Sequence, residues 1–156
     1  MELPEDTRFH CHADPDMPGW HVWEIKADGL FDQIYRPIRG RAEGPGRGRV
    51  RCWPGSNLGN YSGKVHGGAI LGFVDLALFC GATMGGAMGA LSAVTLECSV
   101  QFIGGAEHGR AIDAVIDVMR ETRRLIFLRG EVVQEEELIA SFVAIIRKMD
   151  PPRDPQ

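Results

Sequence analysis

Four cysteines (Cys11, Cys52, Cys80 and Cys98) are all that the 156 residues hold, and no two form a C-x-x-C pair. Without that spacing neither a zinc site nor a disulfide framework is indicated, and four reduced thiols in a cytoplasmic protein are expected. A surplus of positive charge is also missing. The net charge is −4, which gives a nucleic-acid partner no electrostatic support. The opening MELPEDTRFHCHADPD has neither a basic start nor an apolar run, so no secretory leader is expected there. Nor is there a clean membrane span. The longest apolar stretch, Val65–Met88, carries Asp75 at its centre and runs into glycines, and a central carboxylate is costly in lipid. Gly44, Gly46 and Gly48 have no apolar strand before them and no helix after them, so they make no phosphate loop.

What is present is one domain's worth of chain, 44% apolar and 24% charged, enough for a single sizeable core. Residues 1–30 read as an N-terminal extension. Its first 18 residues are polar and punctuated by proline, as in a surface loop, and Trp20, Val22, Trp23 and Ile25 then form an apolar cluster. His10-Cys11-His12 lacks a fourth ligand, so no metal is expected. Residues 31–149 read as the folded domain and 150–156, rich in proline, as a disordered tail. Asp28 is positioned to cap a short helix through Leu30, Phe31, Ile34 and Tyr35 that ends before Pro37. Ile38–Glu43 and Arg47–Trp53 read as a hairpin turning at Gly44-Pro45-Gly46. Arg39 and Arg41 share one face of that hairpin's first strand, and Arg47, Arg49 and Arg51 one face of its second. Such a stripe is either a solvated sheet face or an anion-binding surface.

Beyond the central stretch, Val94, Leu96, Cys98, Val100 and Phe102 alternate with Thr95, Glu97, Ser99 and Gln101. That period of two predicts a strand with the first set inward. Strands over Arg110–Thr122, Leu125–Gln134 and Leu138–Lys148 follow. Strands outnumber helices, and the fold class is α+β: an antiparallel sheet wrapped around one long central helix.

That helix lies within Asn60–Met84. Residues from Ala69 onward are apolar on every side apart from Asp75, which predicts a buried helix and a buried acid whose cost something must offset. Gly67 and Gly68 open the helix, and the first amides of a helix lack intrahelical partners. With the helix dipole they suit an anion or a developing oxyanion. Asp75 lies eight residues from Gly67, about 12 Å along the axis, too far for both to reach one carbonyl. Two such helices packed antiparallel about a two-fold axis would bring them together. The alternatives at this level are an ordinary glycine-rich helix entry and an Asp75 that pairs with a buried arginine or caps a neighbouring backbone.

Asn60-x-x-Gly63-x-x-His66-Gly67-Gly68, followed by Asp75 and the strand AVTLECSVQFIGGAEHG, resembles the motif of hotdog-fold acyl-coenzyme A thioesterases of the phenylacetic-acid-degradation type. The resemblance spans roughly residues 30–148. It implies the hotdog fold, a homodimer or tetramer, and hydrolysis of acyl-CoA to free acid and coenzyme A without metal or cofactor. It further implies Asp75 as general base or nucleophile, Gly67 N–H as the donor to the thioester carbonyl, and Asn60 and His66 as orienting groups. Thr95 occupies the place of a family Ser or Thr on the following strand. Gly68 would line the coenzyme A site, with Arg123, Arg124 or the arginine stripe meeting its phosphates. A hotdog dehydratase or hydratase, and an acyl-CoA-binding protein without turnover, are the competing functions.

Overall fold

A computed structural model describes residues 8–149. Eight antiparallel strands and one long helix make up the described residues. The strands are β1 (Phe9–Ala13), β2 (His21–Ile25), β3 (Arg39–Gly44), β4 (Arg47–Cys52), β5 (Ala93–Phe102), β6 (Ile112–Glu121), β7 (Leu125–Gln134) and β8 (Glu137–Lys148), and the helix α1 is Gly67–Met84. They form one sheet in the order β1-β2-β3-β4-β6-β7-β8-β5. The α+β expectation holds, and the sheet lies across α1.

The sheet is two strands wider than the sequence suggested. Residues 9–13, expected as loop, pair with β2 from Phe9↔Ile25 to Ala13↔His21, and β2 continues the sheet through Val22↔Arg39. The residues beyond 149, expected as a disordered tail, lie outside the described residues. The short helix is a 3-10 turn, Phe31–Tyr35, without a side-chain cap. Asp28 instead accepts a hydrogen bond from Gln33 Nε2 at 3.0 Å.

Ile70, Phe73, Val74, Ala77 and Leu78 of α1 are buried against Val50, Ile116, Ile126, Leu128 and Ile146 of the sheet. Full burial of a side chain of this size stabilises by about 1.5–3 kcal/mol. Helix and sheet meet closely at two glycines: a Cβ on Gly48 would stand 2.2 Å from the carbonyl oxygen of Gly81. Only a bare backbone fits there.

α1 is long and apolar enough to cross a bilayer by composition, and 56% of it is buried inside the domain. Its burial is one-sided. Gly68 and Leu71 are exposed, and Gly72, Asp75, Leu76 and Phe79 are half-buried. Their spacing marks one helical stripe. The helix expected to be buried is so on one face: the sheet covers that face and leaves this stripe open.

The arginine stripe is neither bare nor available to an anion. Arg39 pairs with Asp14 and Glu24, Arg41 and Arg49 with Glu43, Arg49 and Arg51 with Asp113, and Arg47 with Asp117. The guanidinium groups of Arg41 and Arg51 each lie 4.6 Å from the Trp20 ring centroid, within cation–π range. Hydrogen bonding from Arg49, then from Arg41, holds Glu43 down at about 2.

Candidate active site

His66 precedes α1 with extended backbone (φ −63°, ψ 139°). Its Nδ1 accepts from Gly68 N–H at 2.9 Å, so a neutral ring carries its proton on Nε2. The two glycine amides are thereby separated in role. Gly68 N–H is used by the cap, while Gly67 N–H meets no acceptor among the described residues. Of the expected pair of donors, Gly67 alone stays open, at the positive end of the helix dipole.

The approach loop is shaped by Asn60. Its Oδ1 accepts from Ser62 N–H at 2.9 Å and Lys64 N–H at 3.1 Å, and its backbone bonds Lys64 O and Gly63 N–H. A side-chain oxygen closing the backbone two residues on is an Asx turn. Gly63 lies at φ +75°, where a Cβ is disfavoured. The loop then returns, with His66 N–H donating to Leu58 O at 2.8 Å, and presents Gly67.

Two turns along the helix, Asp75 Oδ1 accepts from Thr95 Oγ1 at 2.7 Å. Asp75 is half-buried rather than buried, because it falls on the open stripe. No cation pairs with it among the described residues, which disposes of the arginine-paired alternative.

Thr95 reaches Asp75 through a β-bulge. β5 pairs with β8 as Thr95↔Ile146 and then Glu97↔Ile145, with Leu96 as the extra residue. An inserted residue reverses the alternation on one side of it. Thr95 therefore faces the helix while Val94 and Leu96, expected inward, are 38% and 54% exposed. Downstream, Cys98 and Val100 pack on the core, as expected. Burial pushes the Cys98 thiol up, and the negative charges of Asp75 and Glu97 push it further. Phe102, also expected inward, is 56% exposed, with its ring edge against Gly67.

Asn60, His66, Gly67 and Gly68 thus share the helix entry, and Asp75 and Thr95 form a pair about 12 Å along the axis. Arg123 and Arg124 join neither group. They are exposed on the β6–β7 turn, tied by Arg124 O and Glu121 to Lys148 N–H and Met88 N–H. That is the far end of α1, roughly 27 Å from Gly67 for an 18-residue helix. Sequence reasoning did not see that the Phe31–Tyr35 turn packs on the helix entry. Tyr35 Oη donates to Ala69 O at 2.9 Å. The available signal was Gly72, a mid-helix glycine with no conformational need to be one: a Cβ there would stand 2.3 Å from Tyr35 Oη.

The family model of the thioesterase superfamily matches residues 62–141. Solved structures share the fold, the hotdog. The TT0310 protein from Thermus thermophilus is 23% identical, with a TM-score of 0.63 over 79% of this chain and 99% of its own. A mutant of the phenylacetic acid degradation protein PaaI from the same organism is 22% identical, with a TM-score of 0.63 over 78% of this chain and 100% of its own. A hypothetical thioesterase from Streptococcus pneumoniae, solved with coenzyme A, is 14% identical, with a TM-score of 0.64 over 75% of this chain and 89% of its own. No curated protein matches the sequence significantly.

Proposed function

The chain belongs to the thioesterase superfamily, and on that premise we propose that it hydrolyses acyl-CoA thioesters to free acid and coenzyme A at a site shared by two copies. The observation that carries the reading is the Asp75 carboxylate. It is held by Thr95 on a stripe of α1 that its own sheet leaves uncovered, in line with Gly68 and Leu71.

A second unfinished feature lies beside it. β5 is the last strand of the sheet and exposes Val94, Leu96 and Phe102. An unpaired edge next to an uncovered apolar stripe is what an isologous two-fold contact completes. β5 pairs with β5, α1 packs antiparallel on α1, and the 12 Å that separates Gly67 from Asp75 within one chain is closed between chains. Two such dimers can associate further into a tetramer.

In the assembled site the thioester oxygen accepts from Gly67 N–H. Asp75 of the partner subunit takes a proton from water as the water oxygen bonds to the carbonyl carbon. The tetrahedral intermediate collapses by breaking the C–S bond, and the coenzyme A thiolate takes up the proton. If Asp75 is instead the nucleophile, its oxygen bonds to the carbonyl carbon, the C–S bond breaks to release the thiolate, and water then opens the resulting anhydride, its proton passing to the thiolate. Negative charge builds on the carbonyl oxygen in both routes, where a preorganised donor is most effective. Asn60 and His66 hold the amide in place, and the exposed His66 ring borders the entry. Arg123 and Arg124, at the far end of α1, would serve the nucleotide of a substrate bound at the partner's Gly67, since with Gly67 opposite Asp75 each helix runs on past its partner's start by about 14 Å. The chain acts in the cytoplasm, with no metal or further cofactor in the chemistry.

The test is thiol release from an acyl-CoA panel by wild type and Asp75→Asn, with coenzyme A binding measured in parallel. Loss of general base catalysis is expected to cost about 10²–10⁴-fold in kcat while binding persists. Undiminished turnover would remove Asp75 from the mechanism.

A further inference from the structure

A hollow of 360 Å³ opens beside the start of α1. Phe31, Ile34, Tyr35 and Leu58 line it together with His66 and Gly68. We propose that this hollow receives the acyl group of the substrate, and that Phe31 and Ile34 limit it to compact acyl groups. The proposal rests on the hydrolytic reading above and names the substrate class of that same site.

Three observations support it. First, the hollow adjoins the open amide: its lining residues His66 and Gly68 flank Gly67 in the chain, so a carbonyl bonded there lies beside the hollow that Phe31 and Ile34 line. Second, the walls carry unpartnered apolar surface. Phe31 is 62% exposed and Ile34 41% exposed, although a polar helix entry lies next to both. An apolar wall converging on a few polar groups is the usual form of a ligand pocket, and 360 Å³ lies at the small end of the range, about 300–1,000 Å³.

Third, one lining residue is anchored in the core. Tyr35 is 1% exposed, bonded to Ala69 O at 2.9 Å, and packed on Phe73 with ring centroids 6.2 Å apart. Phe31 meets Tyr35 edge-on at 5.7 Å and presses on the helix at Gly72, where a Cβ would stand 3.0 Å from its ring. The absence of a side chain at Gly72 thus seats the wall of the hollow on the same stripe that bears Asp75. An acyl chain that pressed on Tyr35 would have to displace it from its hydrogen bond and its core contacts.

The experiment compares kcat/KM for acetyl-, butyryl-, hexanoyl-, octanoyl- and decanoyl-CoA in wild type, Phe31→Ala and Ile34→Trp. Phe31 and Ile34 are largely exposed, so both variants should fold. In wild type kcat/KM should rise about four-fold per methylene while carbons enter the hollow, then fall. Phe31→Ala should raise the octanoyl-to-butyryl ratio about ten-fold or more, and Ile34→Trp should lower it by a similar factor. If both ratios stay at the wild-type value while thiol release continues and still depends on Asp75, the hollow is not the acyl site and the hydrolase reading stands. If wild type releases no thiol, calorimetric titration with the same acyl-CoAs decides. A chain-length trend in affinity that the two substitutions shift in opposite directions upholds the acyl site and overturns hydrolysis alone. A flat trend overturns the acyl site as well.

Discussion

Replacing Gly67 by proline isolates the oxyanion donor without touching a catalytic side chain. Gly67 is the first residue of α1, the position where proline is favoured in helices because its amide is unpaired within the helix. The residue before proline must be extended, and His66 already is, at φ −63° and ψ 139°. The new Cβ would meet the Phe102 ring at 3.5 Å, an ordinary contact. Folding should therefore be unharmed, or improved by about 0.4–1 kcal/mol through the stiffer unfolded chain. Activity should not survive in the same way. Removing one oxyanion donor costs about 2.7–4 kcal/mol, or 10²–10³ in kcat. Gly67→Ala is the control, since it adds the same Cβ and keeps the N–H, and it should stay close to wild type. The assay is steady-state thiol release on one acyl-CoA, with thermal melting of all three proteins. A Gly67→Pro protein that melts normally and turns over at the wild-type rate would refute the donor role. Equal loss in the alanine and proline variants would assign the effect to crowding against Phe102 instead.

Thr95→Val removes the 2.7 Å hydrogen bond to Asp75 at nearly constant shape. A hydrogen bond to a charged group is worth about 1.5–3 kcal/mol, so kcat should fall about ten-fold to a hundred-fold, with Thr95→Ser restoring most of it; an unchanged kcat in the valine variant would reduce Thr95 to a packing residue. Glu43 provides a stability prediction of defined sign. Its carboxyl is held at about 2 against an ordinary 4.5, so the folded state binds its proton less readily than the unfolded chain. That contribution is fully present above pH 4.5 and is lost as the pH falls through about 2. Denaturation midpoints measured across that window should decline less steeply for Glu43→Gln than for wild type, and parallel curves would contradict the assignment.

The long helix and strands β3 to β8 were legible because their periods are long enough to read and their boundaries carry Gly and Pro. β1 was not. Its alternation of Phe9, Cys11 and Ala13 with His10 and His12 is only five residues long and sits in a polar, proline-punctuated stretch, and only the pairing with β2 makes it a strand. The helix-entry residues were readable as a group because His66-Gly67-Gly68 is contiguous. That His66 would occupy one of the two amides was not, since a ring nitrogen and a glycine amide give no sequence cue to their orientation. Asp75 was misplaced in burial for a related reason. A helix apolar all round does not disclose which side its own sheet covers, and the same composition serves a core contact and a face left for another molecule.

The single supernumerary residue in β5 also bears on how this chain can vary. Leu96 makes no contribution of its own to the carboxylate, yet its presence sets the phase in which the neighbouring hydroxyl meets it. Were the strand to slide by one position and iron out the kink, Val94 and Leu96 would turn toward the acid and Thr95 toward water, with no change in composition. A change of register at this point would therefore be a chemical event at constant chain length, silencing an acid that lies on a different element and some twenty residues upstream.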